Sequence, residues 1–258
     1  MRRLGLVLLV AALASGCLRS TTTITVKQDG SGTIDQEVGA SAGALAMLRN
    51  FSGSNGGQKP DADVKLFGPE QAQAAAAAMN VRFVSGEPFK TAEGEGYRAH
   101  FAFDDVTKLK FDMVKTPGPA AEKNATPPFG FGFTKGATSS VLTINMPEQQ
   151  SGPGSLLNQL PGGGAQSQDN QQALAMLLPM LHGLYVDVTL NVDGRVIKTN
   201  APYVAGSQVT LLQFDFDKVN ATEGALQKLQ TISDPKLLKD IPGVRMATEP
   251  VVTIEFGR

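Results

Sequence analysis

The chain has 258 residues, with 23 lysines and arginines against 24 aspartates and glutamates, which gives a formal net charge of −1 at pH 7. This length can bury a large hydrophobic core, in one large domain or in two small ones. The balanced charge and the lack of a basic run exclude nucleic acid as an expected partner, and a single cysteine excludes an internal disulfide. The absence of tryptophan also disfavours an interface built on aromatic side chains.

The first seventeen residues have the three-part layout of a secretory signal. Arg2 and Arg3 supply positive charge, and residues 4–13 form an apolar run that is too short to span a membrane. Residues 14–16 are small, and Cys17, the only cysteine of the chain, follows them directly. This order of elements resembles a bacterial lipoprotein signal peptide.

The resemblance to lipoproteins implies that residues 1–16 are removed and that Cys17 is acylated on its thiol and its new amino group. Acyl chains contribute about 0.8 kcal/mol per buried methylene, so several chains would hold the protein at a membrane of the bacterial cell envelope. Leu18 stands where an aspartate would resemble an inner-membrane retention signal, which favours the outer membrane if the source has two membranes. The alternative is a plain secretory signal with an incidental cysteine, which would leave one unpaired thiol in an oxidising compartment.

After the signal, residues 17–22 are predicted to be a tether, and residues 23–258 are predicted to be a globular domain. Ile24 and Val26 alternate with polar neighbours, a pattern that predicts a half-buried strand. The glycine-rich residues 29–32 predict a turn that returns the chain as the second arm of a hairpin.

Two helices are predicted in the first third of the chain. Ser41 is a candidate cap for a helix that runs to about Phe51. Pro69 suits the first position of a second helix, which ends near Met79. The alanine run of this second helix has high helix propensity and little bulk, which predicts close packing against a sheet.

Period-two alternation predicts several more strands along the rest of the chain. Asp193-Gly194, which lies between two of them, is the strongest hairpin signal in the sequence. The predicted strands cover residues 81–84, 97–103, 142–146, 184–192, 196–199, 209–216 and 252–256.

The pattern Phe-x-Phe-Asp-x-Val occurs at residues 101–106 and again at residues 214–219, each time after a hairpin signal. This recurrence predicts an internal duplication, with chance similarity between amphipathic strands as the alternative. Hairpins and neighbouring strands dominate over the spacing of strand–helix–strand units. The predicted fold class is therefore α+β, with a mainly antiparallel β-sheet of hairpins and helices packed on one face.

Residues 148–172 are mostly glutamine, glycine, serine and asparagine, which predicts a flexible insertion in the domain. Residues 173–184 follow as an apolar helix that Pro179 interrupts. A helix that is apolar nearly all round is either an ordinary core helix or binds something apolar, such as a lipid. The candidate lining residues for an apolar ligand are Leu174, Leu177, Leu178, Met180 and Leu181.

Residues 39–43 read Gly-Ala-Ser-Ala-Gly and match the nucleophile elbow of serine hydrolases, with Ser41 as the nucleophile. His100 and His182 follow in a suitable order for a catalytic triad. The preceding strand, however, is the second arm of a predicted hairpin, whereas the elbow requires a parallel strand in a doubly wound sheet. Ser41 is therefore interpreted as a helix cap, and no catalytic residue is assigned. The candidate third members of a triad are Asp104, Asp105 and Asp169.

No metal site and no cofactor are predicted. The oxygen-bearing side chains of residues 215–223 resemble part of a calcium loop, but the required glycine and the twelve-residue spacing are missing. Two distant histidines cannot form a zinc site with an acylated cysteine, and no phosphate-binding loop is present. The calcium-like residues are Asp215, Asp217, Asn220 and Glu223.

These patterns together predict a membrane-anchored envelope lipoprotein whose mature part is a non-catalytic module that binds or scaffolds. Its expected partners are the membrane, through acylated Cys17, and either a lipid or an envelope protein. A serine hydrolase that uses Ser41 is the alternative.

Overall fold

The computed structural model describes residues 18–45, 68–92, 94–111, 129–146, 181–232 and 234–257. The strands are β1 Leu18–Val26, β2 Gly32–Ser41, β3 Arg82–Lys90, β4 Gly94–Phe103, β5 Gly130–Lys135, β6 Ser139–Asn145, β7 Tyr185–Val192, β8 Arg195–Thr199, β9 Val204–Ala205, β10 Gln208–Asp215, β11 Val244–Met246 and β12 Val251–Gly257. The α-helices are α1 Pro69–Met79, α2 Phe216–Ala221 and α3 Ala225–Thr231, and 3₁₀ helices cover Val106–Lys108 and Pro235–Asp240. Residues 42–45 are also helical.

The strands form two sheets. The larger sheet has eight strands in the order β11-β10-β7-β1-β2-β4-β3, with β9 paired to β10, and the smaller sheet has the order β5-β6-β12-β8. β1 lies inside the larger sheet, antiparallel to β2 and parallel to β7. The other strand pairs in the described ranges are antiparallel. The fold is therefore mainly β with a few helices and with mainly antiparallel pairing, as the α+β prediction requires.

One of the two predicted hairpins is confirmed and the other is wrong. β1 and β2 form an antiparallel hairpin whose turn includes Gly30 at a φ of 88°, a conformation that glycine adopts without steric cost. At Asp193-Gly194 the chain instead passes from the larger sheet to the smaller one, where β8 pairs with β12. A hairpin cannot form here because β1 and β10 already occupy both edges of β7.

The predicted tether at residues 17–22 is largely a strand, because β1 begins at Leu18. Leu18 already pairs with Ala40 of β2, and Arg19 pairs with Tyr185 of β7. Thr22, which the sequence placed in the tether, is buried with only 3% of its surface exposed. Residues 18–22 therefore belong to the folded domain.

A single hydrophobic cluster joins the inner faces of the two sheets. Alternate residues of most strands point into this cluster, as the period-two patterns predict. Helices α1, α2 and α3 also contribute buried residues to it, while the placement of all helices on one face stays a prediction. Its fully buried side chains include Ile24, Ile34, Phe101 and Leu190 of the larger sheet and Leu142, Ile144, Ile254 and Phe256 of the smaller sheet.

The two Phe-x-Phe-Asp-x-Val patterns lie on strands of the same sheet, at the ends of β4 and β10. Each leads into a short helical segment with a fully buried valine, Val106 in one case and Val219 in the other. Their neighbours differ, because β4 pairs with the second arm of the first hairpin, whereas β10 pairs with β7. The internal duplication therefore stays a prediction.

Candidate functional site

The outer face of the larger sheet is the candidate functional site. Its side chains are mostly polar, since alternate residues of each strand point away from the core. On β1 these are Thr21, Thr23 and Thr25, each half-buried beside fully buried Ile24 and Val26. Strand pairing aligns such residues into rows that cross the sheet, and two of these rows carry hydrogen-bonded polar groups.

The first of these rows, called the Asp187 row, takes one residue from each of seven paired strands. It runs from the β11 edge of the sheet to the β3 edge. Its members, in order, are Arg245, Gln213, Asp187, Thr21, Glu37, Arg98 and Glu87.

Asp187 is the centre of a network of neutral donors. The Thr189 hydroxyl donates to Oδ1 at 2.8 Å, and the Gln213 amide donates to Oδ2 at 3.1 Å. The same amide donates to the Tyr185 hydroxyl at 3.0 Å, and this hydroxyl lies 3.4 Å from Oδ2. The Arg19 guanidinium covers the Tyr185 ring at 4.6 Å. These contacts, two within β7 and one across to β10, surround a half-buried carboxylate with donors.

Arg98 is the corresponding charged centre on the other side of β1. Its Nε donates to Glu37 Oε2 at 2.8 Å, its Nη1 lies 3.8 Å from Glu87, and its guanidinium lies 4.7 Å from the Phe89 ring centre. The hydrogen bond and the negative charge of Glu37 raise the pKa of Arg98. Arg98 therefore joins charged side chains of three neighbouring strands, β2, β4 and β3.

The second row, called the His100 row, lies one pleat further along the same face. His100 Nδ1 is 2.6 Å from Asp35 Oδ1, and the side chains are 38% and 59% exposed. Ser85 faces His100 from the edge strand β3, beside a bulge. In the described ranges no hydrogen bond joins Ser85 to His100. The row consists of Thr210, Thr189, Thr23, Asp35, His100 and Ser85.

The structure describes few of the site residues that the sequence predicts. Cys17 lies outside the described residues, as do the signal at 1–16 and the insertion at 148–172. Of the predicted apolar lining, Leu181 is buried in the main cluster with 7% of its surface exposed, so it is a core residue. The other predicted lining residues, Leu174, Leu177, Leu178 and Met180, also lie outside the described residues.

Ser41 is a helix cap in the structure, in line with the preferred interpretation. Its hydroxyl accepts a hydrogen bond from the Ala44 amide at 3.1 Å, and only 4% of the residue is exposed. Strand β2, which leads to Ser41, is antiparallel to both of its neighbours, β1 and β4. This arrangement differs from the parallel strand that a nucleophile elbow requires.

The two histidines pair with aspartates other than those that the sequence suggested. His100 pairs with Asp35, six residues from Ser41 on β2, a distance of about 20 Å along the strand. His182 Nδ1 is 3.6 Å from Asp217, which also accepts the Gly183 amide at 2.9 Å. Within the described ranges, neither histidine hydrogen-bonds to Ser41. Asp105 caps the 3₁₀ helix at 106–108.

Two of the calcium-like residues, Asp215 and Asp217, serve as local structural partners. Asp215 caps α2 by accepting the Lys218 amide at 3.2 Å, and its second oxygen lies 2.9 Å from the Lys218 ammonium. Asn220 and Glu223 are exposed. In the part of the chain that the structure describes, no group of three or more histidine, cysteine, aspartate and glutamate side chains could hold a metal ion.

Two open grooves, each of about 280 Å³, lie at the margins of the larger sheet. One lies between the end of α1 and strands β3 and β4, with Arg82 and Asp104 in its wall. The other lies beside β11 and contains Lys218, Lys239 and Arg245. The hydrogen bond to Asp215 and the charge of that carboxylate raise the pKa of Lys218, and Asp240 also lines this groove. Both grooves are too small and polar to enclose a lipid chain.

Apart from His100, which the sequence singled out for a different role, sequence reasoning missed the residues of both rows. Their members come from strands far apart in the chain, and only the strand register brings them together. The available signal was the polar half of each alternating strand, for example Asp187 and Thr189 on β7 or Arg98 and His100 on β4. That signal marks a face without indicating which residues meet.

Within the described ranges, every helix falls short of the length and hydropathy that a bilayer-spanning segment requires.

No protein-family model and no curated protein matches the chain. Among solved structures, the chain is similar to the folded domain of LppM from Mycobacterium tuberculosis, determined by NMR, with 11% identity and a TM-score of 0.37. The match covers 94% of this chain and 91% of that one. A likeness of this size carries no functional argument, so the function is inferred from the residues themselves.

Proposed function

We propose that this protein is a lipid-anchored lipoprotein of the bacterial cell envelope whose mature domain is a non-catalytic binding or scaffolding module. Acylation of Cys17 would hold it at the membrane, with the outer membrane favoured if the source has two membranes. The observation that carries this proposal is the signal at residues 1–17, which ends in the only cysteine of the chain.

The outer face of the larger sheet is the proposed binding surface, with an envelope protein as the partner. Its polar side chains are already ordered by contacts across strands, as for Asp187 with Gln213 and for Arg98 with Glu37. Groups ordered before binding lose less conformational entropy when a partner docks. Opposite charges lie interspersed along the Asp187 row, which suits a polar partner with complementary charges.

Photo-crosslinking in the living cell tests this surface. A photoreactive phenylalanine analogue replaces Thr23, which lies in the His100 row, and in a control it replaces Thr143, on the outer face of the smaller sheet. Both threonines are half-buried on interior strands, so the two variants carry the probe in matched surroundings. We expect a discrete crosslinked band from position 23 and none from position 143. Equal crosslinking from both positions would contradict the assignment of the binding face.

A lipid-binding version of the module is the second form of this proposal. Residues 173–184, apolar nearly all round, motivate it, although Leu181 belongs to the main core cluster. In this version the segment would line an apolar space between helices and sheet. Native mass spectrometry after mild extraction should then detect a lipid that co-purifies with the protein. A mass equal to that of the protein without a bound lipid would count against lipid binding.

The serine hydrolase alternative predicts that Ser41 reacts with a fluorophosphonate. We expect no labelling of the wild-type protein, because Ser41 is buried and its hydroxyl accepts the Ala44 amide. The measurement is active-site labelling of wild type, Ser41→Ala and Ser85→Ala, since Ser85 faces the His100–Asp35 pair. Labelling that disappears in either alanine variant would make the protein an enzyme and overturn the non-catalytic proposal.

A further inference from the structure

We infer that one end of the larger sheet rests directly on the surface of the lipid bilayer, with no flexible spacer between the acyl anchor and the folded domain. This inference rests on the proposed acylation of Cys17 and deepens it by naming the membrane-facing surface. We call this surface the anchor end. Its members include Leu18 and Arg19 of β1, Ala40 of β2, Lys90 of β3, Glu95 of β4, Tyr185 of β7 and Asp215 of β10.

The position of β1 leaves no room for a spacer. Consecutive Cα atoms are about 3.8 Å apart, so Leu18 lies within that distance of the residue that would carry the acyl chains. β1 is an interior strand, held by β2 from Leu18 onward and by β7 from Arg19 onward. The chain therefore has no slack in which the domain could move away from the anchor.

A separate apolar cluster lies at the anchor end. Leu18 packs against Ala40, Ala44 and Leu45, which are each at least 92% buried and lie apart from the main core. Chain termini fray unless packing holds them. This packing holds the first residue of β1 in the sheet, so the strand begins where the anchor ends.

The anchor end carries charges of both signs. The described cations and anions at this end are similar in number, so anionic lipid is not needed to bring it to the membrane. We therefore expect the same orientation on zwitterionic vesicles. The cations include Arg19, Lys90, Lys218, Lys239 and Arg245, and the anions include Glu95, Asp215, Asp217 and Asp240.

The opposite end of the sheet lies well outside the headgroup layer in this orientation. β1 rises by about 26 Å from Leu18 to Val26, whereas each headgroup layer is about 5–8 Å thick. Lys135 lies at this far end, because its partner Ser140 donates a hydrogen bond to the carbonyl of Gln28 in the β1–β2 turn. Lys90 and Lys135 are both exposed, so they are matched positions for a probe.

The experiment places a fluorophore at each of these positions in the acylated, full-length mature protein on phosphatidylcholine vesicles. Acylation blocks Cys17, the only native cysteine, so Lys90→Cys or Lys135→Cys supplies the only free thiol for labelling. A lipid with a quencher on its headgroup should quench the probe at position 90 and leave the probe at position 135 bright. Glu95→Cys, which lies opposite Lys90, gives a second probe at the anchor end.

A flexible linker is the matched control. About 20 glycine and serine residues between Cys17 and Leu18 span about 25 Å on average, and their insertion should abolish the quenching at position 90. Equal quenching at positions 90 and 135, or quenching at position 90 that survives the insertion, would overturn the inference. An intact mass without acyl chains would instead overturn the proposed anchor, so the two failures are distinguishable.

Discussion

Ile24→Asp is expected to unfold the domain, whereas Thr25→Asp is expected to leave it folded. Ile24 is fully buried in the middle of β1, between Ile34 of β2 and Leu190 of β7. The substitution removes a buried side chain worth about 1.5–3 kcal/mol and places an unpaired charge in the core, which costs about 3–5 kcal/mol. The total rivals the free energy of unfolding of a typical domain, about 5–15 kcal/mol.

Thr25 is the adjacent residue and points to the opposite, solvent-facing side of the sheet, where it is half-buried. An aspartate there remains hydrated, so we expect the free energy of unfolding to fall by only about 1 kcal/mol, mainly because aspartate has a poor strand propensity. Urea unfolding of the two variants, monitored by circular dichroism, compares them directly. An equal loss of free energy of unfolding in both variants would contradict the assigned faces of β1, because a shift of one residue exchanges the two faces of a strand.

Local patterns predicted several elements well. The helix predicted to begin at Pro69 and end near Met79 is α1, because the proline suits the first turn and the alanine run favours a helix throughout. Period-two alternation located β4, β7 and β12. Ser41 was predicted as a cap from its residue type and position, and its hydroxyl does accept the Ala44 amide.

Other features depend on contacts between distant parts of the chain. The partner of β8 is β12, and no local pattern near Asp193-Gly194 indicates that the chain leaves the larger sheet there. The tether prediction was wrong because residues 19–22 are polar, although threonine is a good strand former and Thr22 fits into the sheet interior. The polar rows could not be predicted, since the register of seven strands determines which residues meet.

The early start of β1 links the anchor to the proposed binding face. If acyl chains hold Cys17 at the membrane, then the Asp187 row lies about three residues, or about 10 Å, along β1 from Leu18. The His100 row lies about two residues further from the membrane on the same face. A partner docking on these rows would therefore sit close to the lipid surface at a fixed height.

Cys17→Ser tests whether Cys17 carries the membrane anchor. Because this substitution also blocks lipoprotein processing, a second variant places the substituted mature domain behind a general secretory signal, which releases it. Intact-mass spectrometry and fractionation of the three proteins is the most direct measurement. The wild type should carry acyl mass in the membrane fraction, both variants should lack that mass, and the second should be soluble. A wild-type protein that is soluble and unmodified would contradict the proposed acylation of Cys17.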